Sequence, residues 1–167
     1  MNIALVAHDN RKELLTQFCT AYCGILAQHT LCATSATGRQ ISEATGLNVH
    51  RFLSFAHGGG QQIGARIAYN EIDMVLFFND PNSDDLDKDL HYIASLCDQH
   101  NVPFATNVAT AEMLIHGIHN RDLLVKDGIG IVGHTIGHNV LALKQVYLVV
   151  VYADVSDVLG NGHNISP

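Results

Sequence analysis

Continuous apolar runs alternate along the chain with stretches whose apolar residues recur every three or four positions. Residues 3–7 (IALVA) form an unbroken apolar run, which predicts a parallel strand buried on both faces. A helix follows from Asn10 to about Gln28, with Leu14, Leu15, Phe18, Tyr22, Ile25 and Leu26 at helical spacing. Residues 30–34 make a second strand, and 38–45 a short helix stopped by Gly46. A third strand spans 48–52, followed by the turn Gly58-Gly59-Gly60 and a helix over 61–69. Residues 72–78 read as the clearest buried strand. An acidic loop (80–89), a helix to His100, a short strand at 103–105 and a helix over 110–116 complete the pattern.

Five short strands separated by helices predict a single-domain α/β fold, a three-layer sandwich around a five-stranded parallel sheet with right-handed crossovers. Ligands in such sheets sit beyond the carboxyl ends of the strands. The candidate loops are therefore 8–12, 34–38, 54–62, 79–89 and 106–110, which are also rich in His, Asp, Thr, Ser and Gly. Past Leu123 the texture changes. We divide the chain into a domain over 1–122 and a C-terminal extension over 123–167, with a helical turn at 139–144, an extra strand at 146–152 and a frayed end at 160–167.

Composition narrows the function classes. Nine Lys and Arg against 16 Asp and Glu leave a net charge of −7, so no basic stripe is available to follow a nucleic-acid backbone. The first residues lack a basic segment before their apolar run, which argues against a signal peptide. No run approaches the roughly 18 apolar residues of a membrane span. The expectation is a cytoplasmic protein with no membrane or nucleic-acid partner.

Cys19, Cys23, Cys32 and Cys97 lack the paired spacing of a metal site and read as ordinary buried thiols. The acids of the 80–89 loop lack EF-hand spacing, so no metal is expected. Gly128-x-Gly130-x-x-Gly133 matches a dinucleotide fingerprint but does not follow a clear strand. His134 and His138 have helical zinc-ligand spacing but no third ligand.

Two groups of residues carry candidate chemistry. Thr34-Ser35-Ala36-Thr37-Gly38 ends a strand and leads into a helix, offering hydroxyls, backbone N–H groups and a positive dipole end to an anion. Ser54 and the following glycine turn offer the same at the next strand end, and Lys12 can supply a cation. The bland alternative is that these are caps and turns. The second group is acidic: Asp9, Asp80 and the run that ends at Asp89. Asp80 directly follows a buried strand, where a carboxylate can be aimed into a crevice.

Several runs together resemble the methylglyoxal synthase family: IALVAHD at 3–9, ISEATGLNV at 41–49, GGGQQIGA at 58–65, FFNDP at 77–81 and VPFATNVATAE at 102–112. The likeness covers residues 1 to about 122. It implies a homohexamer that converts dihydroxyacetone phosphate to methylglyoxal and inorganic phosphate without a cofactor. Carried over by position, it implies a phosphate and substrate site at His8, Lys12, Thr34, Ser35, Ala36, Thr37, Ser54 and Phe55. Asp9, Asp80 and Asp89 would stand at the reacting end with His8.

The same comparison exposes departures. The family's loop reads Ser-Gly-Pro-x-Gly-Gly-Asp-Gln-Gln, whereas here it runs Ser54-Phe55-Ala56-His57-Gly58-Gly59-Gly60-Gln61-Gln62. The family's basic Asp is thus Gly60, its Gly is Phe55, and a family His falls at or beside Leu86. A positioned acid–base group contributes about 10²–10⁴-fold, so the implied reaction is expected to be weak or altered. His57 and Asp80 are the replacement bases the sequence suggests. The alternatives are a sensor that kept the phosphate cradle without the chemistry, and an assembly role carried by the tail.

Overall fold

The computed structural model describes residues 1–82 and 87–126. Five strands form one all-parallel sheet: β1 (Asn2–Ala7), β2 (Thr30–Thr34), β3 (Val49–Phe52), β4 (Met74–Phe78) and β5 (Phe104–Ala105), in spatial order β3-β2-β1-β4-β5. The helices are α1 (Lys12–Ala21), α2 (Cys23–Leu26), α3 (Ser35–Thr45), α4 (Gly59–Ala68), α5 (Asp87–His100) and α6 (Val108–Lys126). Helix α1 packs on α3, and α4 on α5. The fold is the three-layer α/β sandwich that the alternating pattern predicts.

The apolar runs become strands because every side chain in them has a dry face to enter. Ile3, Ala4, Leu5 and Val6 are fully buried, as are Met74, Val75, Leu76 and Phe77. Ala4, Val6, Val75 and Phe77 share one cluster with Ile63, Ile67, Ile93 and Cys97 from α4 and α5. Each large side chain removed from water contributes roughly 1.5–3 kcal/mol. The central pair is in register Ala7↔Phe78, and the outer pair Thr34↔Phe52, so neighbouring strands finish level with each other. The loops that follow them emerge together at one edge.

Three elements differ most from the pattern reading. The helix expected over 10–28 is a 3₁₀ turn (Asp9–Arg11), then α1, a break at Tyr22 and then α2. Tyr22 leaves helical geometry (φ −103°, ψ 20°), its ring lies 4.7 Å from that of Phe18, and its hydroxyl donates to Glu112 at 3.1 Å. This long-range partner competes with local helical continuation. Helix α3 begins at Ser35 rather than residue 38, because Thr34 is both the last strand residue and the extended N-cap. Helix α6 outruns the expected 110–116; the Asn107 side chain caps its start by accepting the N–H of Thr110 at 3.0 Å.

The glycine turn has a steric cause. Gly58 has φ +94°, and a Cβ on Gly59 would lie 2.1 Å from the Leu53 carbonyl oxygen. Only glycines let the chain double back this closely under the end of β3. Residues 1–115 form one compact unit that contains the whole sheet, and a second unit begins at His116. Of that second unit, the end of α6 is described. The expected turn at 139–144, the strand at 146–152, the 128–133 glycine motif and His134 and His138 lie outside the described residues, as does Leu86.

Candidate active site

A cavity of about 430 Å³ opens beyond the carboxyl ends of β1, β2 and β3. It is lined by Ala7, His8, Asp9 and Lys12 after β1, Thr34 and Ala36 after β2, Ser54, Phe55 and Ala56 after β3, and Asp89 from α5. Four of the five loops marked on the sequence therefore converge, and the level strand ends explain why.

The groups that the sequence offered to an anion lie around Lys12, Thr34 and Ser54. No side chain caps the start of α3, so its first-turn N–H groups keep their hydrogen-bonding capacity at the cavity edge. Thr34 and Thr37 are buried, and their hydroxyls are hydrogen-bonded at 3.2 Å. Thr37 therefore braces Thr34 and, like Ser35, is not among the residues lining the cavity. The Lys12 ammonium donates to the Asp9 carboxylate across one helical turn. Asp9 is 84% exposed while Lys12 is 22% exposed. That hydrogen bond and charge hold the Asp9 carboxyl below its ordinary range.

His8 has a defined polarity. Its Nδ1 accepts the backbone N–H of Asn10 at 3.1 Å, so the neutral ring carries its proton on Nε2. The 3.9 Å approach of Nδ1 to Asp80 Oδ2 is too long for a hydrogen bond and matters only as a charge interaction.

Asp80 sits between the ends of β1 and β4, where the strand order reverses. It is buried and well satisfied. Asn10 Nδ2 donates to Oδ2 at 2.9 Å, the Asn82 N–H to Oδ1 at 3.2 Å, and Arg11 Nη2 to Oδ1 at 3.4 Å. The hydrogen bonds from Asn10 and Asn82, more than the Arg11 and His8 charges, hold its carboxyl below the ordinary range against the effect of burial. It does not line the cavity. Its geometry ties the loop after β4 to the loop after β1. Asn10 and Arg11 were not singled out on the sequence, because their partner lies some 70 positions away.

Position 60 is the informative one. A Cβ built on Gly60 would lie 2.9 Å from Phe55 Cε1, 3.0 Å from Phe55 Cδ1 and 3.6 Å from Asp89 Oδ1. The Phe55 ring thus fills the space next to Gly60, held from behind by Phe77 at 6.0 Å between centroids. Asp89 presents its carboxylate to the same place. His57, the other replacement base suggested by the sequence, is exposed and engaged elsewhere: its Nδ1 is 2.7 Å from Ser54 Oγ, and it does not line the cavity. Among the described residues, no group of three or more His, Cys, Asp or Glu is placed to hold a metal ion.

Fold and site together define a three-layer α/β domain with a cavity at its strand ends that is lined by both polar and apolar residues. Residues 15–106 match the MGS-like domain family. The chain is 57% identical over 124 residues to methylglyoxal synthase of Caldicellulosiruptor saccharolyticus, covering 74% of this chain and 88% of that protein. It is 52% identical to the methylglyoxal synthase of Oceanobacillus iheyensis, covering 74% and 89%. The crystal structure of methylglyoxal synthase from Elizabethkingia anophelis superposes with a TM-score of 0.63 at 39% identity, covering 68% of this chain and 76% of that one. This chain belongs to the methylglyoxal synthase family.

Proposed function

We propose that the cavity binds a triose phosphate or a similar phosphate ester. The observation that carries the reading is the convergence of Lys12, Thr34, Ser54 and the uncapped start of α3 on one cavity that also holds two carboxylates, Asp9 paired with Lys12 and Asp89. A phosphate group there meets a cation, hydroxyls and backbone donors, and its carbonyl end faces His8 and Asp89. Family membership supports dihydroxyacetone phosphate as the substrate.

On this reading, a carboxylate removes a proton from the carbon beside the carbonyl, and the bond electrons form an enediolate. The His8 Nε2–H donates to the developing oxyanion. The enediolate then expels inorganic phosphate by breaking the C–O bond, and the enol product rearranges to methylglyoxal. Asp89 is the carboxylate we place in the base's role, because it lines the cavity and its Oδ1 lies 3.6 Å from where a Cβ on Gly60 would stand. Asp80 is committed to Asn10, Asn82 and Arg11, and serves by holding the loop of His8 in place. No metal or organic cofactor enters these steps.

Turnover is expected to be weak for a member of this family, since the base works from position 89 alone. The Phe55 ring favours a second reading, a phosphorylated-metabolite sensor in which the same cradle operates without chemistry. By the same family argument we infer a homo-oligomer, a hexamer by resemblance, working in the cytoplasm. Methylglyoxal release from dihydroxyacetone phosphate, corrected for spontaneous decomposition, tests the enzyme reading against a Lys12→Ala control. Lys12-dependent release supports it; binding without release leaves the sensor.

A further inference from the structure

Ser54 faces the cavity, yet its hydroxyl is already engaged. Ser54 Oγ lies 2.7 Å from Nδ1 of His57, a contact made possible because Phe55–His57 form a 3₁₀ turn closed by the His57 N–H donating to the Ser54 carbonyl at 3.0 Å. A serine hydroxyl has one hydrogen to donate and two lone pairs to accept with. The direction of this one bond therefore decides what Ser54 can offer a ligand.

Two arrangements satisfy the distance. When His57 Nδ1 lacks a proton, Ser54 spends its single O–H on the imidazole, and only oxygen lone pairs face the cavity. Those lone pairs repel a phosphate oxygen. When Nδ1 carries the proton, it donates to Ser54 Oγ, and the serine O–H is released toward the anion. Only the second arrangement fits a cradle that also contains Lys12 and the uncapped start of α3.

We propose that His57 is a positioning residue: by donating from Nδ1 to Ser54 Oγ, it turns the Ser54 hydroxyl into a donor for a bound phosphate group. It acts through Ser54 and does not touch the ligand. The inference rests on the phosphate-binding reading above and names a residue of that site that works from outside the cavity. It also accounts for an exposed histidine whose ring is fixed by one short contact.

The test is calorimetry with inorganic phosphate on the full chain, using His57→Ala, Ser54→Ala, the double variant and His57→Asn. A hydrogen bond to a charged group is worth roughly tenfold in affinity or more. Ser54→Ala should weaken phosphate binding by roughly tenfold; His57→Ala, which leaves the hydroxyl present but unoriented, should weaken it by less, and the double variant should be no weaker than Ser54→Ala alone. His57→Asn, whose amide can donate from nearly the same place, should recover most of the loss. Nitrogen-15 spectra of the His57 ring should show Nδ1 protonated in the phosphate complex. His57 is exposed, so the variants are expected to fold, and thermal melts check this. Additive losses, an unchanged His57→Ala protein, or an unprotonated Nδ1 in the complex would overturn the proposal while leaving phosphate binding intact. Wild-type protein that binds no phosphate would overturn both.

Discussion

The ring of Phe55 and the missing side chain of Gly60 are two halves of one arrangement. Phe55 Cε1 stands 2.9 Å from where a Cβ on Gly60 would be, closer than two such carbons can rest. The ring is packed on one side against the buried cluster that includes Phe77 and lines the cavity on the other, so a side chain at 60 would push it out into the cavity. A glycine at 60 is what this ring requires.

Restoring the family's carboxylate therefore needs two changes. Gly60→Asp alone should force Phe55 aside, cost about 1–3 kcal/mol by overpacking and lower the melting temperature without restoring fast turnover. Phe55→Gly combined with Gly60→Asp removes the clash and should raise methylglyoxal formation by about 10²–10⁴-fold, while still melting below the parent because the ring's packing on the Phe77 cluster is lost. Melting curves and turnover measured on the same samples check both. A single variant that gains the full activity would show that the ring is no obstacle.

Asp89 should be the carboxylate on which residual chemistry depends. Asp89→Asn keeps the shape of the side chain and removes its basicity, so methylglyoxal release should fall by roughly 10²-fold or more. Phosphate affinity should not fall, because the variant removes a negative charge from the cavity that would hold the anion. Turnover that survives in Asp89→Asn would move the base elsewhere.

Asp80 makes stability fall in acid. Its native pKa lies below the ordinary 3.8, so the charged form is favoured by folding. The stability it contributes is fully present above pH 3.8 and is lost as the pH drops through the lower native value. Asp80→Asn should melt lower than the parent at neutral pH, with the difference shrinking below pH 3.8. Parallel thermal melts from pH 7 to pH 2.5 (roughly that window) read this out. A gap that widens in acid would contradict it.

The cysteines should be chemically quiet. Burial pushes the thiols of Cys19 and Cys97 up to about 12 and that of Cys32 up to about 11, while Cys23 is half-buried. Thiolate is the reactive form, so at pH 8 Ellman's reagent should label Cys23 first, and the other three only after unfolding. Fast labelling of Cys19 or Cys32 alongside Cys23 in the native protein would show that the α1–β2 region opens readily.

Residues 3–7 and 72–78 announced buried parallel strands because an unbroken apolar run suits an element covered on both faces. The structure places β1 and β4 there, side by side. The helix at 10–28 was less legible. Local spacing favours one helix through Tyr22, and the break depends on Glu112, 90 positions away. The cavity itself was half legible. Gly, Ser, Thr, His and Asp collected at strand ends marked its loops, and the family motifs gave each position a counterpart.

The roles inside those loops were not legible. Asp80 looked free to act as a base because it follows a buried strand; only Asn10 and Arg11, brought across the β1–β4 boundary, show it already committed. His57 looked like a candidate base because it is three residues from Gly60, yet the 3₁₀ turn directs its Nδ1 to Ser54. Thr37 looked like a ligand residue and proves to be a buried brace for Thr34.

By itself the sequence determined the family, the parallel α/β layering and the identity of the cavity loops, because those follow from periodicity and from motifs that are contiguous in the chain. It also determined that position 60 carries no carboxylate. Only the tertiary structure decided what fills that space and which carboxylate remains beside it. A ring at 55, a glycine at 60 and an acid at 89 meet through packing of α4 against α5 and β3, and packing is a property of surfaces brought together, which no single stretch of chain contains.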